Sequence, residues 1–205
     1  MRLLHATPPE WLAAVLADFD EFLLDHAACE RKASGTAMAF VSHYPDRPEI
    51  VQACAELAVE ELGHFRDVVA LLLSRGLALK PDGRDPYVRR LAREFRSGTD
   101  AYLLDRLLVA SIIEARGCER LALVASGHPE EKIRNFYREL ARSEARHQDL
   151  YADLARRLFG DRESESRLAE LLEAEARILR ELPVRAALFH VGAGALEAAS
   201  GAAGR

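Results

Sequence analysis

Cysteine is scarce: Cys29, Cys54 and Cys118 are the only three, and no two stand at CxxC spacing. This excludes a disulfide framework and a four-cysteine zinc or iron–sulfur site built within the chain. No run of 18 apolar residues is present, so no membrane-spanning helix is expected. The N-terminal stretch MRLLHATPPEW has no apolar segment before its prolines, and a cytoplasmic protein is the expectation. Valine-rich alternating segments are missing, which argues against a sheet. There is no sustained heptad and no fixed short repeat, so a coiled coil or a solenoid fits poorly. Charge of one sign is not in large excess. A net charge of −5 over 205 residues does not suit a general nucleic-acid coat, yet leaves room for a local basic patch. Lysine is nearly absent, at 3 residues against 25 Arg, a skew from which no function follows.

What remains is helix, in a chain long enough to bury a core. The first helix is expected over about 10–42, with Thr7 as cap, Pro8 in the first turn and Glu10 where a capping-box acid belongs. HYPDRP (43–48) breaks it. A second helix runs over about 49–74 and ends near Arg75-Gly76. A connection of about 25 residues follows, holding the turn cluster KPDGRDPY and a short helical piece from about 86 to 95. Further helices are expected over about 100–126, 129–158 and 163–181. Two hairpins joined by a long crossover make the chain all-α, a ferritin-like four-helix bundle with additional outer helices. Residues 1–190 form that domain, and 191–205 form a small-residue-rich tail.

Two Glu-x-x-His pairs carry the chemistry. Glu61 and His64 lie on the second helix, Glu144 and His147 on the fourth, and a spacing of three puts each pair on one helical face. In the fourth helix the stripe Leu140, Glu144, His147, Tyr151, Leu154 is otherwise apolar. The second repeats this with Leu57, Glu61, His64, Phe65, Val68. A carboxylate and an imidazole in register with the core are costly unless something compensates, and a metal ion would. A di-metal bundle needs one more Glu from each of the other two helices. Glu30 and Glu114 occupy the matching stripes. Glu30 precedes Glu61 by 31 residues and Glu114 precedes Glu144 by 30, each pair spanning a turn, so all four helices present ligands at one level. Glu119 competes with Glu114 but is displaced by about 10 Å of helix rise. It is assigned to a supporting or surface role. Glu60 competes with Glu61 but lies about 100° off the His64 face. Four carboxylates and two imidazoles suit two iron or manganese ions.

Around this set, Asp25, His26 and Tyr151 are candidates for orienting the ligands or lining a pocket. Arg84, Arg89, Arg93 and Arg96 in the crossover, with Arg116 beside Glu114, are candidates for phosphate contacts. An ordinary solvated face is the alternative.

Longer motifs add a resemblance. DHAACERKASGTAM (25–38), YPDRPEIV (44–51), LAVEELGHFRDV (57–68), RGLALKPDGRDPY (75–87), LLDRLLVASIIEARGCERL (103–121), FYRELARSEARHQDLY (136–151) and LPVRAALFH (182–190) are similar to MiaE, the family of tRNA hydroxylases acting on 2-methylthio-N6-isopentenyladenosine. The similarity covers about residues 10 to 190. It implies a non-haem diiron monooxygenase that hydroxylates the isopentenyl group at tRNA position 37, using dioxygen and two electrons from a reductase partner. The ligands implied are Glu30, Glu61, His64, Glu114, Glu144 and His147. Gly63 departs from the family's more usual Glu and loosens the helix by about 1 kcal/mol without touching the ligand face. Oligomeric state is left open, a monomer being one option. The rivals are another ferritin-like dimetal oxidase or peroxidase, an iron store, and a metal-free helical interaction module.

Overall fold

Seven α-helices, one 3-10 turn at Ala92–Glu94 and no strand occupy the residues that the computed structural model describes, 1–81, 83 and 85–189. The α-helices are α1 Pro9–Ala17, α2 Phe19–His43, α3 Pro48–Ser74, α4 Pro86–Leu91, α5 Thr99–Gly127, α6 Glu131–Phe159 and α7 Asp161–Glu181. The expected tail from 191 onward, His190 and Arg84 lie outside the described residues. No described helix is long and apolar enough to cross a membrane.

Helices α2 and α3 pack as one hairpin and α5 and α6 as another, with α3 against α6 between them. The crossover 75–98 joins the hairpins and carries α4. Helix α7 lies outside against α5 and α6. This is the ferritin-like arrangement. Single-face burial drives it. On α6, Ile133, Tyr137, Leu140, Glu144, His147, Tyr151 and Leu154 are buried at intervals of three and four, while the intervening arginines stay out. Truncating a core ring such as Phe22, fully buried against Trp11, would cost about 3–5 kcal/mol.

The first helix is two helices, not the single one expected over 10–42. Asp18 leaves helical geometry (φ −139°, ψ 67°), and its carboxylate accepts from Glu21 N at 3.2 Å. It caps α2, and Asp20 and Glu21 follow where the helix dipole favours acids. Thr7 is not a cap either. Pro8 holds that position without a side-chain bond, and Thr7 donates through N and Oγ1 to Glu119 at 3.0 and 2.7 Å. At the far end of α3, Gly76 (φ +77°) closes a Schellman turn, with Leu77 N donating to Leu72 O and Gly76 N to Leu73 O. That turn releases the chain into the crossover.

A buried ionic junction ties the N-terminal residues and segment 182–189 to the bundle. Arg116 on α5, fully buried, donates twice to Glu175 on α7 at 2.9 and 2.8 Å and once to His5 O at 2.7 Å, and pairs with Glu119. Tyr87 of α4 donates to the same Glu175 at 3.0 Å. Arg120 donates to the carbonyls of Leu188 and Phe189 at 2.6 and 2.7 Å. Trp11 Nε1 donates to Ala187 O at 2.9 Å. These bonds pin segment 182–189 across one side of the bundle, where it walls a cavity.

Candidate metal centre

The helical stripes bring Glu61, His64, Glu144 and His147 to one point, each offering a ligand atom within 4.8 Å of the others. Both imidazoles turn Nδ1 inward. His64 Nδ1 lies 3.0 Å from Glu144, 3.5 Å from Glu61 and 3.6 Å from Glu30. His147 Nδ1 lies 2.8 Å from Glu61 and 3.1 Å from Glu144. Glu61 and Glu144 therefore face both rings. Glu30 stands on the His64 side, and Glu114 on α5 borders the same cavity as Glu144.

The donor set fits metal ions better than it fits itself. Both carboxylate oxygens of Glu61, Oε1 of Glu144 and Nδ1 of His64 are buried with no well-directed hydrogen bond. Yet Glu61 Oε1 is only 2.8 Å from His147 Nδ1. The two observations agree once direction is considered: the atoms are close but not aligned as a hydrogen bond, and Glu61 and Glu144 border the cavity space. Buried polar atoms left so are expensive, and hard cations in that space would satisfy them.

The electrostatics of the bare cluster follow from crowding. Burial opposes charge on His64, but the close carboxylates of Glu144, Glu30 and Glu61 outweigh it and push its pKa up to about 12. The same balance, with Glu144 and Glu61, raises His147 to about 11. Burial and then the neighbouring carboxylates raise Glu61 and, further, Glu114. Glu30 is also desolvated, yet His26, by charge and hydrogen bond, and the nearby His64 hold it well below the usual carboxylate range.

His26 meets Glu30 through Nε2 at 2.5 Å and Tyr137 Oη through Nδ1 at 3.1 Å. With Tyr137 donating to Nδ1, Nε2–H is left to donate to the carboxylate and fix its orientation. Glu60 was the rejected competitor of Glu61, and its actual place is not apparent from its own helix. Half-exposed on α3, it meets His147 Nε2 at 3.2 Å across to α6. That bond leaves Nδ1 as the free donor atom. Tyr151 is buried against Phe40 and makes no hydrogen bond to the six. Asp25 orients the wall rather than a ligand, accepting from Leu188 N at 2.7 Å. Glu119 likewise serves Thr7 and Arg116, away from the cluster.

A cavity of about 430 Å³ opens from the carboxylates of Glu30, Glu61, Glu114 and Glu144. It occupies the space between α2 and α5 under the crossover. Its walls are apolar, with Val109, Ala110, Ile113, Leu121 and Leu188 among them. Glu114 keeps some accessible surface because it borders this space. Of the arginines expected at phosphates, only Arg89 lines the cavity among the described residues. Arg116 is corrected: it is fully buried and committed to Glu175 and Glu119, so no phosphate reaches it. Arg96 is committed to Asp105 through its backbone and guanidinium. Arg93 is exposed and away from the cavity lining.

A ferritin-like bundle with two Glu-x-x-His pairs and flanking glutamates at the foot of an apolar cavity defines a dimetal carboxylate protein of the oxidising type. Comparison narrows the class. Residues 1–191 match the family described as tRNA-(MS[2]IO[6]A)-hydroxylase (MiaE), and the chain belongs to that family. It is 37% identical over 186 residues to the tRNA 2-(methylsulfanyl)-N(6)-isopentenyladenosine(37) hydroxylase of Pseudomonas putida, covering 91% of this chain and 90% of that one. The hydroxylase of the same description from Salmonella typhimurium is 30% identical over 168 residues, 82% of this chain and 61% of that one. A solved structure, protein 43 with aldehyde deformylating oxygenase activity from Synechococcus, superposes with a TM-score of 0.87 at 38% identity. It covers 94% of this chain and 98% of that one.

Proposed function

We propose that this chain hydroxylates the isopentenyl group of 2-(methylsulfanyl)-N6-isopentenyladenosine at position 37 of tRNA, the reaction named for its relatives. One observation carries the reading: in a chain of this family, the cluster of carboxylates and imidazoles stands at the inner end of an apolar cavity of prenyl-accepting size. Glu61, His64, Glu144 and His147, with Glu30 and Glu114 beside them, would hold the two metal ions. Two irons held there supply reductive activation of dioxygen. The balance is one C–H bond converted to C–OH, with one dioxygen, two electrons and two protons consumed and one water released. The electrons come from a reductase partner.

The protein's own contribution is positional. His26, set by Tyr137, holds Glu30, and Glu60 holds His147. The walls at Val109, Ile113 and Leu121 would keep water from the reacting carbon and take up the prenyl group. Lys32, Arg89 and Arg106 also line the cavity and would meet the polar nucleotide.

The likeness to the Synechococcus structure favours a second reading, deformylation of a long-chain aldehyde, since the same apolar walls accept an alkyl chain. Iron-loaded protein given dioxygen and a reductant separates the two. The proposal expects prenylated tRNA to gain one oxygen atom by nucleoside mass spectrometry, with little hydrocarbon and formate from an aldehyde. Unchanged tRNA with hydrocarbon produced would overturn it.

A further inference from the structure

Three cations, Lys32, Arg89 and Arg106, line the cavity together with one acid of the crossover, Asp85. Arg106 of α5 lines the cavity. Its guanidinium carbon lies 4.3 Å from the Phe40 ring centroid, 5.7 Å from that of Tyr44 and 5.8 Å from that of Tyr102. It donates to His43 Nδ1 at 3.0 Å, and no carboxylate among the described residues pairs with it within 4.0 Å. The contrast with its neighbour is informative. Asp105 turns the other way and is taken up by Arg96 and Arg167 at 2.8 Å each. The obvious counter-ion is therefore kept from Arg106, and aromatic faces hold the guanidinium in place instead.

Two more cations share this rim. Arg89 is exposed and makes no ion pair among the described residues. Lys32 donates to Gly83 O at 3.1 Å, makes no ion pair within 4.0 Å among the described residues, and lies near enough to Asp25 and Asp85 to favour their charged forms. The nearby acid Asp85 is occupied as the cap of α4, accepting from Tyr87 N at 2.8 Å and Val88 N at 3.4 Å. Phe95 also lines the mouth, edge-on to Tyr102 with centroids 5.5 Å apart. Cations and aromatic faces surrounding the entrance to an apolar slot match a substrate with an apolar end and an anionic, flat end.

We infer that Arg106, held against Phe40, binds a backbone phosphate beside the target adenosine, with Arg89 and Lys32 completing the rim, so that the prenyl group is directed toward the carboxylates. This rests on the RNA-hydroxylase reading above. An uncharged aldehyde would gain nothing from such a rim. The guanidinium is the suited group because its planar fork can stack on a ring and bond a phosphate at once.

The test is binding of an anticodon stem-loop RNA carrying N6-isopentenyladenosine to iron-loaded full-length protein, without dioxygen, across a salt series. Arg106→Gln should weaken binding about tenfold and lower the slope of log affinity against log salt by about one. Arg89→Gln, which breaks no ion pair among the described residues, should do the same on a smaller scale. Turnover of the free prenylated nucleoside, which has no phosphate, should change far less. Arg142→Gln, outside the cavity, should leave binding unaltered. Arg106→Lys should keep most of the salt slope while losing affinity. If Arg106→Gln disturbs folding, Arg89→Gln decides by itself. Wild-type affinity and slope in both Gln variants would overturn the inference and leave the functional reading standing. Failure of the wild-type protein to bind this RNA would overturn both.

Discussion

Replacing His26 with Phe removes one atom-scale function while keeping the ring. The imidazole is fully buried between Phe22, at a ring distance of 5.7 Å, and Tyr137, at 5.5 Å, so a phenyl group fits its volume and neighbours. What disappears is the donor that meets Glu30 at 2.5 Å and the acceptor that meets Tyr137 at 3.1 Å. Two consequences follow. The buried phenol is left without its partner, which costs about 1–3 kcal/mol of stability. Glu30 also loses the group that orients it and holds its pKa down. Removing an outer partner of a metal-binding carboxylate weakens binding about 10–100-fold, equivalent to about 1.4–2.7 kcal/mol. The assay is competition for ferrous iron against a chelator under anaerobic conditions, alongside thermal unfolding of metal-free protein. Tyr137→Phe should move both readouts in the same direction by less, since His26 can still donate to Glu30. Iron affinity within about twofold of wild type in the correctly folded His26→Phe protein would refute the reasoning, because the twofold limit is far below the effect expected of an orienting partner.

Other outcomes are equally specific. Glu114→Ala should abolish hydroxylation and reduce iron loading, read by product mass spectrometry and metal analysis. Unchanged values would remove Glu114 from the centre. Val109→Phe, which projects a ring into the cavity, should cut hydroxylation by more than about tenfold with iron content unchanged. Glu175→Ala strips the buried Arg116 of its main partner and should destabilise the fold by about 3–5 kcal/mol, with Glu119 keeping the loss toward the lower end, as measured by denaturant unfolding. Asp105 lies below the ordinary carboxylate range because Arg96 and Arg167, by side-chain and backbone hydrogen bonds, outweigh its burial. A depressed folded pKa contributes stability above the unfolded value, near 4, and loses it as pH falls through the folded one. Wild-type melting temperature should therefore drop below about pH 4, and Asp105→Asn should melt lower at neutral pH with a shallower acid drop.

The bundle and its long crossover are legible in the sequence because they rest on helical periodicity and on turn residues within a few positions of one another. So is the level at which Glu30, Glu61, Glu114 and Glu144 meet, since distance from a turn converts directly into rise along a helix. The parts that are not legible depend on partners remote in the chain. Arg96 and Arg116 look like surface cations until Asp105, Glu175 and Glu119 are seen to consume them. Arg106 attracts no notice in the sequence, because the rings that hold it come from the end of α2 and the start of α5. Glu60 faces away from His64 on its own helix and gains its role only from the crossing of α3 with α6. The break at Asp18 had a local signal, Asp18 followed by acids at 20 and 21, but the apolar periodicity continues through it and conceals the new start.

The dimetal centre is tested most directly by the iron content and optical spectrum of full-length protein prepared under iron-replete conditions. Two irons per chain, with the near-ultraviolet absorption of an oxidised oxygen-bridged pair, are predicted from the convergence of Glu61, His64, Glu144 and His147 flanked by Glu30 and Glu114. A chain that takes up no iron, even after anaerobic reconstitution with ferrous ion, would contradict the centre and leave a helical binding module in its place.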